Sequence, residues 1–235
     1  MSIFAISDLH LSTDERIKKP MDIYGGEWVN HAEKIKENWL RSVKARDTVL
    51  IPGDISWALR LDEAAADFKW IAELPGRKII TKGNHDLWWA STNKLNKLYG
   101  GPDMLFLQNH CTEAENLIVC GSRGWTCPGC DDFSEQDEKI YNRELVRMEL
   151  SLKEAEQIRK GRKIAVMLHY PPTNDKFQPS GFTRLFEKFG VSLVVYGHLH
   201  GRDSYGRGYR GNFNGVEYKL VSFDYLKGVP IEIKL

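Results

Sequence analysis

Short apolar runs alternate with helical patterns along most of this chain. Apolar residues recur at three- or four-residue spacing within residues 29–43, 61–71 and 141–155, which is typical of amphipathic helices. The other runs are rich in β-branched residues and end at glycine or polar side chains, as buried strands do. These predicted strands are residues 3–7, 48–52, 78–82, 117–121, 163–168 and 191–196. Strands that alternate with helices predict an α/β protein.

The C-terminal part of the chain has a different pattern. The stretches "VEYKLVSFDYL" and "VPIEIKL" predict strands with no helix between them. Upstream, the helical pattern around residues 141–155 is highly charged and ends near Gly161. The sequence contains no repeat, low-complexity tract or evident linker. We therefore expect a single domain over residues 1–235 with a charged helical excursion at about 131–160, which could cap a site or contact a partner.

Composition and charge narrow the classes of function. The 235 residues are 42% hydrophobic and 28% charged, as in ordinary globular proteins, and the formal net charge is only +1. No overall field would attract nucleic acid or an anionic membrane, so we expect neither as a partner. No apolar run approaches the roughly 18–20 residues that span a bilayer. The N-terminus enters a strand-like run without a signal-peptide pattern, which predicts a cytoplasmic protein. The sequence does not indicate an oligomeric state.

Four cysteines raise a separate question. Cys127 and Cys130 form the motif "CPGC", which could be a redox pair or half of a zinc site. Cys111 and Cys120 do not form a second such motif. We therefore favour free thiols in or near a loop.

Metal-binding side chains follow five of the predicted strands. They are Asp8 and His10, then Asp54, then Asn84 with His85 and Asp86, then His169, and finally His198 and His200. Ligands of open α/β sheets bind outside the carboxyl ends of the strands. Gly53, Gly83 and Gly197 each precede one of these residues, where the chain must leave the sheet sharply and tolerate close approach.

The histidine distribution favours a metal site over unrelated structural roles. Five of the seven histidines lie at these strand ends, and only His31 and His110 lie elsewhere. Asp8 and His10 are two residues apart, as are His198 and His200, so each pair projects from one face of an extended chain. We expect structural roles for His31 and His110 and a shared metal site for the others.

The ordered motifs D-x-H, GD, GNHD, a lone His and GHLH resemble those of the calcineurin-like metallophosphoesterase superfamily, in a form similar to small bacterial phosphohydrolases. The resemblance spans residues 8–200. It implies a four-layer α/β/β/α sandwich, in which two packed, mostly mixed β-sheets are flanked by helices. It also implies two metal ions at the strand ends.

The resemblance assigns the ligands of the two ions. One would be held by Asp8, His10, Asp54 and His200, and the other by Asp54, Asn84, His169 and His198, with Asp54 shared. Two ions about 3.5–4 Å apart can clamp the oxygens of an in-line displacement and supply a bridging hydroxide that attacks phosphorus. Mixed imidazole, carboxylate and amide ligands suit divalent Mn, Fe or Zn. Because Asn84 donates an oxygen without a charge, the loaded site would stay positive and attract phosphate.

The resemblance also places His85 beside the scissile phosphate, where it would stabilise the transition state and protonate the leaving oxygen. Asp86 could orient or charge-balance that imidazole. Alternatively, Asp86 could cap a helix that begins near Trp88. The sequence leaves both roles of Asp86 open.

Three further residues are candidates for substrate binding. Arg123 follows the predicted strand 117–121, Arg202 lies in the arginine- and tyrosine-rich stretch 201–211, and Trp88 could line a pocket. The alternative for 201–211 is a solvated, flexible loop. The sequence departs from many relatives after the GD motif, where "GDISWAL" lacks an acidic residue.

These features predict a binuclear metal-dependent phosphoesterase that acts on a small phosphodiester or nucleotide-like substrate. The alternatives are a phosphomonoesterase and a non-catalytic scaffold with the same fold. A cysteine-based phosphatase is excluded because no cysteine has an arginine six residues later. A phosphate-cradling GxxxxGK[ST] loop is also absent, since the chain has no Gly-Lys dipeptide.

Overall fold

Two β-sheets lie face to face at the centre of the fold, in a computed structural model that describes residues 1–234. The first sheet contains β1 (Ile3–Ala5), β2 (Thr48–Pro52), β3 (Arg77–Thr81), β4 (Met104–Phe106) and β11 (Ile231–Ile233). The second contains β5 (Cys111–Ala114), β6 (Leu117–Ser122), β7 (Lys163–Leu168), β8 (Val191–Tyr196), β9 (Gly211–Phe213) and β10 (Val216–Leu220). Their orders are β11-β1-β2-β3-β4 and β5-β6-β7-β8-β10-β9.

Both sheets are mixed in the same way. Parallel strands form the interior of each sheet, and the antiparallel strands β11, β5 and β9 lie at edges. Parallel strands end at one side of a sheet, so the loops that follow them meet there. This topology brings the polar residues after β1, β2, β3, β7 and β8 to one end of the sandwich.

Helices cover the outer faces of both sheets. They are α1 (His31–Ser42), α2 (Leu61–Ala72), α3 (Thr92–Leu98), α4 (Glu135–Ile158) and α5 (Gly181–Lys188), and two short 3-10 turns occupy Met21–Tyr24 and Gly26–Trp28. One apolar cluster lies between the sheets and includes Leu50 and Val119. A second, with Trp39 and Phe68, lies under α1 to α3, and a third, with Met148, lies under α4 and α5. The four-layer α/β/β/α sandwich is therefore confirmed.

The charged helix α4 is part of this layered core. Its N-terminus is fixed by a capping box, in which the Ser134 hydroxyl accepts from the Asp137 N–H and the Asp137 carboxylate accepts from the Ser134 N–H. Tyr141, Met148 and Leu152 lie on one stripe and are buried against the second sheet. The segment predicted as an excursion is thus the outer layer over β5 and β6.

One predicted helix start is wrong. The helix expected near Trp88 begins at Thr92, and its N-cap is Ser91, whose hydroxyl accepts from the Lys94 N–H. The six predicted strands are present, and β1 ends at Ala5, two residues before its expected end. No helix of residues 1–234 is both long and apolar enough to cross a membrane.

Candidate metal centre

The ligand-bearing loops are held in unusual backbone conformations. Asp8, His10, Asp54 and His198 all have positive φ, with values of 59°, 45°, 52° and 71°. Non-glycine residues rarely adopt this region, and it persists where surrounding structure enforces it, often at functional sites. Here the loops after β1 and β2 run side by side: the Asp8 N–H donates to the Gly53 carbonyl at 3.0 Å, and the His10 N–H donates to the Asp54 carbonyl at 3.0 Å.

The three glycines make room for ligands that come from neighbouring strands. A Cβ at Gly53 would lie 2.8 Å from Nδ1 of His169. A Cβ at Gly83 would overlap the Asp54 carboxylate, and one at Gly197 would overlap Oδ2 of Asp8. Each glycine therefore leaves the space that a ligand from another loop fills.

The first group of ligand atoms belongs to Asp8, His10, Asp54 and His200. Nε2 of His10 is 3.4 Å from Nε2 of His200 and 3.7 Å from Oδ2 of Asp54. Nε2 of His200 is 3.3 Å from Oδ1 of Asp8. The two carboxylates are buried and both imidazoles turn a nitrogen toward them. These four side chains enclose a space suited to one cation.

The second group belongs to Asp54, Asn84, His169 and His198. Oδ1 of Asn84 is 2.6 Å from Nε2 of His169 and 2.9 Å from Nδ1 of His198. Nε2 of His169 is 3.3 Å from Oδ2 of Asp54. Oδ2 of Asp54 therefore lies between His10 of the first group and His169 of the second, and Asp8 also lies near ligand atoms of both groups.

The hydrogen bonds behind these histidines fit metal ligation. Nδ1 of His169 lies 3.1 Å from the Pro52 carbonyl oxygen, which can only accept, so Nδ1 carries a proton and Nε2 is the nitrogen that faces the cluster. Nδ1 of His200 lies 2.9 Å from Oδ1 of Asp224. A carboxylate or carbonyl behind a ligating imidazole is the usual outer contact of metal-binding histidines. The nitrogen and oxygen donors of both groups therefore fit two divalent cations.

The charges in the cluster also favour cations. Burial alone would raise the pKa of Asp8 and Asp54, yet neighbouring histidines, chiefly His200 and His169 respectively, lower it, for Asp54 to about 2. Burial opposes protonation of the two imidazoles, but Asp54 raises the pKa of His169 to about 9, and Asp8 with Asp224 raises that of His200 to about 10. Both carboxylates are therefore ionised, and in the metal-free chain they hold protons on His169 and His200 that a bound cation would displace.

Asp86 holds the GD and GNHD loops together through backbone hydrogen bonds. Its Oδ2 accepts from the N–H groups of Gly83 (2.7 Å) and Asp54 (2.9 Å), and its Oδ1 accepts from those of Ile55 (2.9 Å) and Ser56 (3.3 Å). Burial and the nearby Asp54 carboxylate raise the pKa of Asp86 to about 7. Within residues 1–234 Asp86 makes no hydrogen bond that would orient an imidazole, and it caps no helix, so these two predicted roles are corrected. It instead ties the GD loop to the GNHD loop.

His85 lies at the open edge of the cluster. Its side chain is exposed, and its N–H donates to Oδ1 of Asp54 at 2.8 Å. The ring lies 4.4 Å from that of Trp57 and 5.5 Å from that of His10, centroid to centroid. This places an accessible imidazole beside the two ligand groups without making it part of either.

The three predicted substrate-binding residues lie in different surroundings. Trp88 is wrongly assigned: it is buried in the first sheet's core against Phe68, because the chain turns inward after Asp86. Arg123 is half-buried with its guanidinium 4.4 Å from the Trp125 ring, and its backbone carbonyl accepts from the His169 N–H. Arg202 is exposed in the turn after His200.

Two cavities border the ligand groups on different sides. The larger, of about 790 Å³, extends from His198 over the CPGC loop. It is lined by the carboxylates of Asp131, Asp132, Asp137 and Asp175, with Arg207 as a basic group. The smaller, of about 200 Å³, lies beside His10, His85 and His200 and is walled by Met21, Tyr24, Trp28 and Trp57. Sequence reasoning missed these walls, although Trp57 lies only three residues after Asp54 of the GD motif.

The remaining histidines and the cysteines have structural surroundings. His31 is buried with Nε2 3.0 Å from the Leu9 carbonyl, and His110 is exposed beside Glu154. The four cysteines are free, as predicted. Burial raises the pKa of the Cys127 thiol to about 12 and also raises that of Cys130, so neither is an activated thiol.

Comparison with known proteins gives one family match and several similar folds. A model of the family described as calcineurin-like phosphoesterase matches residues 1–202, whereas a search of curated proteins found no match. Similar solved structures include phosphopantetheinyl hydrolase (PptH) of Mycobacterium tuberculosis, with a TM-score of 0.55, 15% identity, and coverage of 94% of this chain and 88% of that chain. The protein TT1561 of Thermus thermophilus has a TM-score of 0.54, 16% identity and coverage of 84% and 81%. GAP50, the anchor in the inner membrane complex of Plasmodium, has a TM-score of 0.52, 12% identity and coverage of 95% and 72%. At these identities the structures share the fold.

Proposed function

The chain belongs to the calcineurin-like phosphoesterase family, and from this premise we propose that it is a binuclear metal-dependent hydrolase of small phosphate esters. The observation that carries the proposal is the shared atom, Oδ2 of Asp54, which lies 3.7 Å from Nε2 of His10 and 3.3 Å from Nε2 of His169. One carboxylate oxygen thus borders both ligand groups. Two divalent cations held there would bind phosphoryl oxygens and make hydroxide available near neutral pH.

The residues around the cluster would position the ester. Hydroxide would attack phosphorus in line, the bond from phosphorus to the leaving oxygen would break, and His85 would give its proton to that oxygen. His85 suits this role because its side chain is exposed at the edge of the cluster while its backbone is fixed on Asp54. Asp86 keeps the loops that carry Asp54 and His85 in register.

The surroundings of the centre favour a small substrate. The acidic residues of the larger cavity, among them Asp132 and Asp175, would repel the backbone of a nucleic acid. The net charge of +1 offers no compensating field. We infer a small phosphodiester or nucleotide-like compound as substrate, in a cytoplasmic setting that accords with the four free cysteines.

A non-catalytic scaffold is the competing function, since GAP50 is named an anchor and shares this fold. A scaffold has no need of complete ligand groups, whereas both groups here are filled by metal-binding side chains. Hydrolysis of bis-p-nitrophenyl phosphate and p-nitrophenyl phosphate, with and without Mn²⁺, tests the proposal. We expect Mn²⁺-dependent hydrolysis with preference for the diester. A preference for p-nitrophenyl phosphate would indicate a monoesterase, and no hydrolysis with Mn²⁺, Fe²⁺ or Zn²⁺ would favour the scaffold.

A further inference from the structure

The smaller cavity beside the metal centre is walled by rings. We call it the aromatic slot and define it by Met21, Tyr24, Trp28 and Trp57. Its floor is formed by three imidazoles, those of His10, His85 and His200. The slot is therefore continuous with the first ligand group and with the candidate proton donor.

The tryptophan rings of the walls lie at aromatic contact distances from the imidazoles of the floor. Trp57 is stacked on His10, with centroids 4.7 Å apart and planes inclined by 21°. Trp28 meets His200 edge to face at 5.3 Å. Nε1 of Trp57 lies 3.1 Å from Sδ of Met21, so this donor is paired within the wall, and the walls present chiefly apolar ring faces and edges.

Size and charge distinguish the slot from the larger cavity. A cavity of about 150 Å³ is enough for benzene, and the slot measures about 200 Å³. None of its four wall residues carries a formal charge, and the nearby cation is the Lys19 ammonium, 5.3 Å from the Trp57 ring centroid, whereas Asp131, Asp132 and Asp175 line the larger cavity. A neutral planar group would thus be favoured in the slot, and a flexible or charged one would gain little there.

We propose that the aromatic slot binds a planar aromatic substituent of the phosphate ester, on the side where His85 meets the leaving oxygen. The proposal rests on the proposed function for its phosphate, but the slot can be tested by binding alone. It names the substrate class as small phosphate esters of aromatic or heteroaromatic alcohols, or of nucleosides whose base reaches the slot.

Two phosphonates that resist hydrolysis provide the test. Benzylphosphonate and cyclohexylmethylphosphonate are similar in size, but only the first is planar and aromatic. Calorimetric titration into the Mn²⁺-loaded protein is expected to give about fivefold tighter binding of benzylphosphonate, the effect of an added aromatic contact. Equal affinities would overturn the proposal.

Tyr24, the exposed wall residue, allows a variant that leaves the fold intact. Tyr24 is 66% exposed and lines the slot, and its neighbour Ile23 is 74% exposed and does not. Tyr24→Ala should reduce the preference for benzylphosphonate about twofold, whereas Ile23→Ala should leave it unchanged. Trp57→Ala should abolish the preference and Trp57→Phe should restore much of it, at unchanged Mn²⁺ content. Equal effects of Tyr24→Ala and Ile23→Ala would contradict the slot.

The experiments distinguish an aromatic slot that binds no ring from a proposed catalytic function that is wrong. Hydrolysis of benzyl methyl phosphate and cyclohexylmethyl methyl phosphate at equal kcat/KM would refute the slot and leave the phosphoesterase in place. A preference for benzylphosphonate in binding, without hydrolysis of either ester, would support the slot and refute the catalytic function.

Discussion

Replacing Gly83 by alanine tests how tightly the metal centre is built. An added Cβ would overlap Oδ1 and the backbone nitrogen of Asp54 and would lie 2.7 Å from its Cγ, whereas ordinary contact begins at 3.4 Å, so Asp54 must move by at least about 0.7 Å. Metal–ligand distances tolerate only about 0.2 Å, and a misplacement of about 1 Å in a catalytic site costs about 100-fold in rate. Because Asp54 borders both ligand groups, Gly83→Ala should weaken both cation sites.

The assay is calorimetric titration of Mn²⁺ into metal-free protein, followed by hydrolysis of bis-p-nitrophenyl phosphate. We expect at least about tenfold weaker Mn²⁺ binding and about 100-fold slower hydrolysis. Overpacking should also lower the free energy of unfolding of the metal-free protein by about 1–3 kcal/mol. Gly101→Ala is the matched control, because a Cβ there meets nothing within 4 Å. Unchanged Mn²⁺ affinity in Gly83→Ala would refute the close fit between Gly83 and Asp54.

Three further predictions concern side chains around the centre. His85→Ala should slow hydrolysis of an alkyl ester by about 100-fold or more but an activated aryl ester far less, and equal losses would exclude proton donation. Asp224→Asn should weaken Mn²⁺ binding by about 10–100-fold, since Asp224 orients His200, while the exposed Asp203→Asn should have no effect; equal affinities in the two variants would contradict this role. Burial raises the pKa of Asp67, so its contribution to stability is lost as pH rises from the ordinary aspartate value of about 3.9 through the raised pKa. Urea unfolding should therefore show Asp67→Asn gaining stability relative to wild type between pH 4 and pH 7, and a constant difference would contradict it.

The sequence predicted most reliably those features of the site that follow from the strand topology. Apolar strands followed by glycine and a metal-binding side chain predicted which loops meet, because parallel strands end on one side of the sheet. That reasoning brought Asp8, Asp54 and His169 to one point, and the structure places their ligand atoms within 4.8 Å of one another. The positions of Gly83 and Gly197 could be predicted for the same reason, because each glycine directly precedes a candidate ligand at a strand end.

Contacts made by individual side chains were less predictable. Trp88 and Trp57 both follow a ligand motif, but the turn after Asp86 sends Trp88 into the core, whereas Trp57 lies over His10. Asp224 escaped notice because its segment reads as a strand, and its contact with His200 depends on β10 lying parallel to β8. Periodicity does not determine such pairings between distant segments.

The proposed hydrolytic centre depends on Asp54 joining two cation sites. The most direct measurement is the Mn²⁺ content of purified protein, wild type and Asp54→Asn, together with diester hydrolysis by the same samples. We expect about two ions per wild-type chain, hydrolysis that rises with occupancy, and loss of both ions and of hydrolysis in the variant. Two ions retained by Asp54→Asn, or a wild-type protein that binds no metal and hydrolyses nothing, would contradict this proposal.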